Sequence, residues 1–191
     1  IKELNAYAEE VRSYIIETVR RQGGHLASNL GTVELITALH YVFDCPVDKL
    51  LFDVGHQAYT HKIITGRRDS FYNLRSDEGV SGFPNASESI YDAFTMGHSS
   101  TSLSLGVGFA RARDILGLDY NVVCVIGDGA FTGGMAFEAL NDIGANKEKM
   151  IIVLNDNKMS ISKNVGALNE YLAKLRLSKR YLNVKYNVKT V

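Results

Sequence analysis

Apolar residues at Leu4, Tyr7, Ala8, Val11, Ile15 and Val19 recur at close to 3.6 residues, so Ile1 to Arg21 reads as an amphipathic helix. Gly23-Gly24 stops it. After His25, Ser28 or Asn29 is expected to cap a second helix running to about Tyr41, with Gly31 leaving its start open, and Pro46 marks a connection. Three short apolar runs read as buried strands: Leu50-Leu-Phe-Asp-Val54, Val122-Val-Cys-Val-Ile126 and Met150-Ile-Ile-Val-Leu154. Between the second and third, Thr132 to Gly144 carries Met135, Phe137, Ala139, Leu140 and Ile143, a helix able to pack on a sheet. Strand, helix and strand in that order make a βαβ unit with parallel strands. The expected architecture is therefore α/β, three layers of α/β/α with a mostly parallel sheet. In such a sheet the strands end at one edge, where ligands bind. The loops Gly55-His56-Gln57, Gly127-Asp128-Gly129 and Asn155-Asp156-Asn157 leave the three strands at that edge and can converge on one site.

Composition narrows the classes. A chain of 191 residues with 46% hydrophobic content suits one domain with a substantial core. The 21 basic and 21 acidic residues cancel, so nothing global points to nucleic acid or to a membrane. The balance is uneven, however: Lys174, Arg176, Lys179, Arg180, Lys185 and Lys189 fall in a stretch after Tyr171 that has no acid. That stretch reads as a solvated helix face or a linker. Cys45 and Cys124 lie in unrelated settings, and Cys124 sits inside an apolar run, so no disulfide framework is present and a reducing cytosol fits. No apolar run approaches a membrane span, and the charged start lacks the layout of a secretory signal.

The chemistry is concentrated in two triplets. Gly127-Asp-Gly129 follows one buried strand and Asn155-Asp-Asn157 the next, with 25 residues and a helix between them. Alone, either triplet is an ordinary turn, since Gly, Asp and Asn dominate turns for backbone reasons. Together they match the thiamine-diphosphate motif, GDG followed by N-x-N. A diphosphate sits beside a carboxylate only with a divalent cation between them, and magnesium, which takes oxygen ligands and binds carboxylates together with phosphates, is the natural bridge. Asp128 is expected to supply the carboxylate, Asn157 a side-chain carbonyl and Met159 a backbone carbonyl. A nicotinamide-dinucleotide site is the weaker alternative: the spacing Gly127, Gly129, Gly133 gives G-x-G-x-x-x-G, and Asp128 would repel a bare pyrophosphate. Motifs for zinc hydrolysis, a P-loop and a serine nucleophile elbow are absent.

Several stretches carry a closer likeness: Gly24-His-Leu-Ala-Ser-Asn-Leu-Gly31, Asp53-Val-Gly-His-Gln-Ala-Tyr59, Gly97-His-Ser-Ser-Thr-Ser102, Gly133-Gly-Met-Ala-Phe-Glu-Ala139 and Leu154-Asn-Asp-Asn157 with Met159-Ser-Ile-Ser162. With the GDG turn they resemble the 1-deoxy-D-xylulose-5-phosphate synthases of the transketolase-like group. That resemblance implies a transferase using thiamine diphosphate and Mg2+ to condense pyruvate with D-glyceraldehyde 3-phosphate, with loss of carbon dioxide. The product is an entry to isoprenoid precursors and a source for thiamine and pyridoxal. It further implies a cytoplasmic homodimer.

Residue by residue, the resemblance places His56, Gly97, His98 and Ser99 against the cofactor. Asp128, Gly129, Ala130 and Asn157 hold its diphosphate and metal, and His25 and Ser28 lie near the substrate-derived part, where His25, Ser28 and His56 are the catalytic candidates. His40 reads as a structural helix residue with no polar neighbour of interest, and His61 is left open between structure and function. Family members are much longer. The expected division is a diphosphate-binding domain over 1–172 and a basic tail or linker over 173–191. The pyrimidine-binding domain, which supplies an activating glutamate, and the C-terminal domain are missing. Glu138 matches a family string but not that activating position. A split subunit or a non-catalytic module with the same fold remains open at this point.

Overall fold

A computed structural model describes residues 1–156 and 167–189. They fall into two compact units, Ile1–Met159 and Ser160–Val191. At the heart of the first unit lies a three-stranded sheet in the order β1 (Lys49–Phe52), β2 (Val122–Gly127), β3 (Ile151–Asn155). Both pairings are parallel, as the βαβ reading requires. β2 is buried along Val122–Ile126 because it is central and covered on both faces. On one face Leu103 and Ala110 of α5 (Ser102–Ile115) and Ala136 and Ala139 of α6 (Gly134–Asn146) pack on Leu51, Cys124 and Ile126. On the other, Ile36 and Leu39 of α3 (Val33–Val42) and Ala58 cover Leu50, Phe52, Val123 and Val125. This makes the three layers. A further core forms where Ala8, Val11 and Ile15 of α1 (Lys2–Gln22) meet Val33, Tyr59 and Phe71. The side chains are small where α5 lies closest to the sheet. A Cβ on Gly106 would stand 2.5 Å from Cys124 Sγ, so glycine there lets helix and strand approach.

Element boundaries differ from the sequence expectation where side chains are used for something other than local structure. The second helix is two: α2 (Leu26–Leu30) with His25 at its N-cap, then a break at Gly31-Thr32, then α3. Neither Ser28 nor Asn29 caps it, because the Asn29 side chain is committed to other loops. β1 stops at Phe52 since Val54 adopts φ 59 and the chain turns away. Before α6, Ala130–Thr132 forms a 3-10 turn, which moves the helix start from Thr132 to Gly134.

In the second unit, α7 (Ala167–Arg176) and α8 (Lys179–Lys189) follow one another, and Lys174, Lys179, Arg180 and Lys185 are exposed. No helix among the described residues is long and apolar enough to cross a membrane.

His40 is the clearest correction to the sequence reading. Its Nε2 lies 2.9 Å from Nδ1 of His61, whose own Nε2 lies 2.9 Å from Asp92 Oδ1. His61 sits on the short helix α4 (Tyr59–Lys62) and is fully buried, a neighbour that spacing along the chain does not reveal. Burial first, and the adjacent His61 second, pull the His40 pKa down to about 4. Burial lowers that of His61 too, against the pull of Asp92. Between pH 4 and the ordinary histidine value near 6.5, the unfolded chain takes up the His40 proton and the folded chain does not. Stability from this source is complete above pH 6.5 and is lost as the pH falls toward 4. Urea unfolding at steps between pH 4 and 7 is expected to show stability rising with pH, with a shallower slope in His40→Leu; equal slopes would refute the assignment.

Candidate active site

Asp53 follows β1 directly, is 1% exposed, and organises the carboxyl edge of the sheet. Its Oδ1 accepts the Ser100 amide at 2.7 Å and its Oδ2 the Ser102 amide at 3.0 Å, so one carboxylate holds the Gly97–Thr101 loop at the start of α5. Ser100 adopts φ 67, a left-handed conformation that costs a non-glycine residue about 1 kcal/mol or more. Its amide bond to Asp53 and its Oγ bond to the Ala130 carbonyl at 2.7 Å over-determine that conformation. The second bond ties the loop bearing His98 and Ser99 to the one bearing Asp128, Gly129 and Ala130. Gly133 makes the approach possible, since a Cβ there would overlap Ser100 Oγ.

Asp128 stands where β2 ends. Gly127 pairs in register with Asn155, and the Asp128 amide donates to the Asn155 carbonyl at 3.1 Å, so the two strand-end turns lie side by side. Asn157 and Met159, the other expected metal ligands, lie outside the described residues. Among the described residues no three His, Cys, Asp or Glu side chains gather to hold a metal; the expected set draws one carboxylate from them.

A second group forms around Asn29. Its Nδ2 donates to the carbonyls of His25 at 2.6 Å and His56 at 2.8 Å, and its Oδ1 accepts the Tyr59 amide at 2.9 Å. One buried amide thereby clamps the two histidine-bearing turns together, and the His25 and His56 rings meet edge to face, centroids 5.4 Å apart. Tyr59 Oη accepts the His25 amide at 3.2 Å, and Phe83 packs on the His25 ring at 5.6 Å. Gly24, at φ +134, leaves room for Tyr59 Oη, which would lie 2.7 Å from a Cβ there. Ser28 is half-buried on α2, within a turn of His25. Burial first and the Arg75 charge second lower the His25 pKa. That of His56 is lowered by burial and then by His25, against the pull of Asp53. Both shifts favour the neutral ring, which keeps a nitrogen able to accept a proton.

The two groups meet through Gly55, where any side chain would overlap Pro84 and stand 3.2 Å from Met96 Cβ, next to Gly97. The residues fit a bound diphosphate cofactor. Open space lies on the Cβ side of Gly97 and Gly127, and the buried His56 Nδ1 has no hydrogen-bond partner among the described residues. Gly97, His98 and Ser99 are exposed at the edge and Ala130 is half-buried. Sequence reasoning missed the supporting roles of Asn29, Asp53, Tyr59, Phe83, Arg75 and Ser100. Asp53, a lone acid at the end of an apolar run, was the one with a visible signal.

The profile of the family described as 1-deoxy-D-xylulose-5-phosphate synthase matches residues 1–191. A synthase of that name from Clostridium tetani is 59% identical over 191 residues, covering all of this chain and 31% of the relative. Another from Thermus thermophilus is 60% identical over 179 residues, covering 94% of this chain and 29% of the relative. The chain therefore spans about a third of the length of these relatives. The crystal structure of transketolase from Campylobacter jejuni superposes with a TM-score of 0.75 at 24% identity, over 87% of this chain and 30% of that one, which shows a shared fold.

Proposed function

The chain belongs to the 1-deoxy-D-xylulose-5-phosphate synthase family, and from that premise we propose that it forms the diphosphate-binding part of a thiamine-diphosphate- and magnesium-dependent transferase. The reaction is condensation of pyruvate with D-glyceraldehyde 3-phosphate to 1-deoxy-D-xylulose 5-phosphate, with release of carbon dioxide. The observation that carries this reading is the pairing of Gly127 with Asn155, which sets the GDG turn beside the Asn155-Asp156 turn at the open edge of a parallel sheet. In this reading residues 1–172 make the diphosphate-binding domain and residues 173–191 begin a linker. The intact protein works as a cytoplasmic homodimer.

Asp128, Asn157 and the Met159 carbonyl would hold the magnesium ion, and Gly129 and Ala130 would meet the diphosphate. Gly97, His98, Ser99 and His56 would contact the cofactor. When bound, the cofactor would supply a thiazolium carbon as nucleophile and a cationic ring able to take up the electron pair released on decarboxylation. The chain's own residues position and exclude. Asn29 fixes the His25 and His56 backbones, so their rings hold one relative orientation. Tyr59 and Phe83 shield the His25 ring from water. A neutral His25 can take a proton from, or return one to, a substrate oxygen near Ser28, a role worth roughly 10²–10⁴-fold in rate.

The experiment is carbon dioxide release from pyruvate with thiamine diphosphate and magnesium. The intact protein is expected to release it; no release would overturn the reading. The 191 residues alone are expected to release none until mixed with a pyrimidine-binding part that contributes the activating glutamate. Turnover by the 191 residues alone would place that glutamate within them.

A further inference from the structure

Residues 80–101 contain no helix or strand beyond isolated turns, yet Phe83 at one end packs on His25 and Gly97–His98 at the other reach the sheet edge. A loop of that length inside a compact domain is uncommon unless it serves a function. Something must fix its path, and backbone hydrogen bonding supplies little of it: the Met96 amide to the Pro84 carbonyl at 3.0 Å is the one backbone bond joining its two limbs among the described residues.

What fixes it is a cluster of buried charges. Asp92, 3% exposed, accepts from both terminal nitrogens of the Arg67 guanidinium at 2.7 Å and from the Asn85 amide at 2.7 Å, and pairs with His61. Glu88 receives Lys62 Nζ at 2.6 Å on one oxygen and the Ser81 amide at 2.7 Å on the other. Each carboxylate therefore joins a loop amide seven residues upstream to a cation, Lys62 at the end of α4 for Glu88 and Arg67 just beyond it for Asp92. Two carboxylates balance two cations, which leaves His61 neutral: its Nε2–H donates to Asp92 and its Nδ1 accepts from His40. Burial pushes the Asp92 carboxyl up, but the bonds from Arg67, His61 and Asn85 outweigh it and hold the group far below its ordinary range.

Such a cluster is a poor source of net stability, because desolvating two ion pairs costs about as much as their attraction returns, and apolar side chains would fill the space at least as favourably. What it provides is direction: four acceptor positions on Asp92 admit only one path of the loop. None of these groups touches His25, His56 or His98 directly. We propose that Asp92, seconded by Glu88, is a positioning residue of the active site, clipping the 80–101 loop so that Phe83 stays on His25 and Gly97–His98 stay at the strand edge. This rests on the transferase reading above for its kinetic consequence and on geometry alone for its structural one.

The test uses Asp92→Asn and Glu88→Gln in the intact protein. Amide exchange should quicken across 81–100 while 122–127 exchanges as in the parent, and the His25 titration, followed by NMR of its ring, should move up toward the ordinary histidine value as Phe83 lets water in. With thiamine diphosphate and magnesium, kcat for carbon dioxide release should fall on the order of a hundredfold in Asp92→Asn, as expected for a reacting group misplaced by about 1 Å, with less change in KM and a smaller loss in Glu88→Gln. If Asp92→Asn does not fold, Glu88→Gln decides, since its side chain lies nearer solvent. Exchange that quickens uniformly through the sheet, or an unmoved His25 titration with parental kcat, would overturn the proposal. A parent protein that releases no carbon dioxide while exchange and titration respond as described refutes the transferase reading and leaves the clip standing.

Discussion

Asp53→Ala is expected to lower the unfolding free energy by about 2–5 kcal/mol, among the larger effects available to a single substitution here. The Asp53 carboxylate is 1% exposed and accepts two backbone amides, Ser100 and Ser102, that have no other acceptor described. Removing it strands both donors away from water, and each unsatisfied buried donor costs about 1–3 kcal/mol. Against a whole-domain stability of about 5–15 kcal/mol the loss is large. Ser100 would also be freed from its left-handed conformation, and with it the bond to Ala130 that joins the His98 loop to the Asp128 loop. Asp53→Asn keeps one carbonyl acceptor but turns an NH2 toward the second amide, so it should recover only part of the loss. Urea unfolding of the three proteins measures this. An Asp53→Ala protein within about 0.5 kcal/mol of the parent, the range of an ordinary surface substitution, would show that the two amides find water instead.

Asp128→Ala is expected to abolish the magnesium dependence of thiamine-diphosphate binding and to weaken binding about a thousandfold. Two unit charges 4 Å apart near a protein surface attract by about 4 kcal/mol, close to three factors of ten, and a divalent ion in direct contact with the carboxylate exceeds that. Because Asp128 is half-buried at a strand end and its backbone is pinned to Asn155, the substitution should leave the sheet intact. Calorimetric titration with and without magnesium separates the effects. The parent should need the metal, and Asp128→Ala should bind weakly in both conditions. Tight binding by the variant, or metal-independent binding by the parent, would remove the metal bridge from the reading.

The sequence by itself determined the sheet and the edge at which its strand-end turns converge. Three apolar runs of strand length and a helix-period segment between the last two leave little choice but parallel pairing, and parallel pairing sends the Asp53, Asp128 and Asn155 turns to one edge. His56 and Asp128 stood out as candidates because they are polar residues beside glycines just past strands, and His25 because it follows a glycine pair between two helices. The tertiary structure alone decided how those residues are held. Asn29 looked like a helix cap, and its amide instead ties the His25 turn to that of His56, 27 residues along the chain from Asn29. His40 looked inert, and it completes a chain through His61 to Asp92, 52 positions away. Phe83 and Arg75 carried no local signal at all. Periodicity records which face of an element is apolar, since that depends on neighbours three or four residues away. Hydrogen-bond partners of buried polar groups are set by loops that meet only after the sheet has formed, and a bond of about 3 Å between distant segments leaves no spacing in the chain from which to read it.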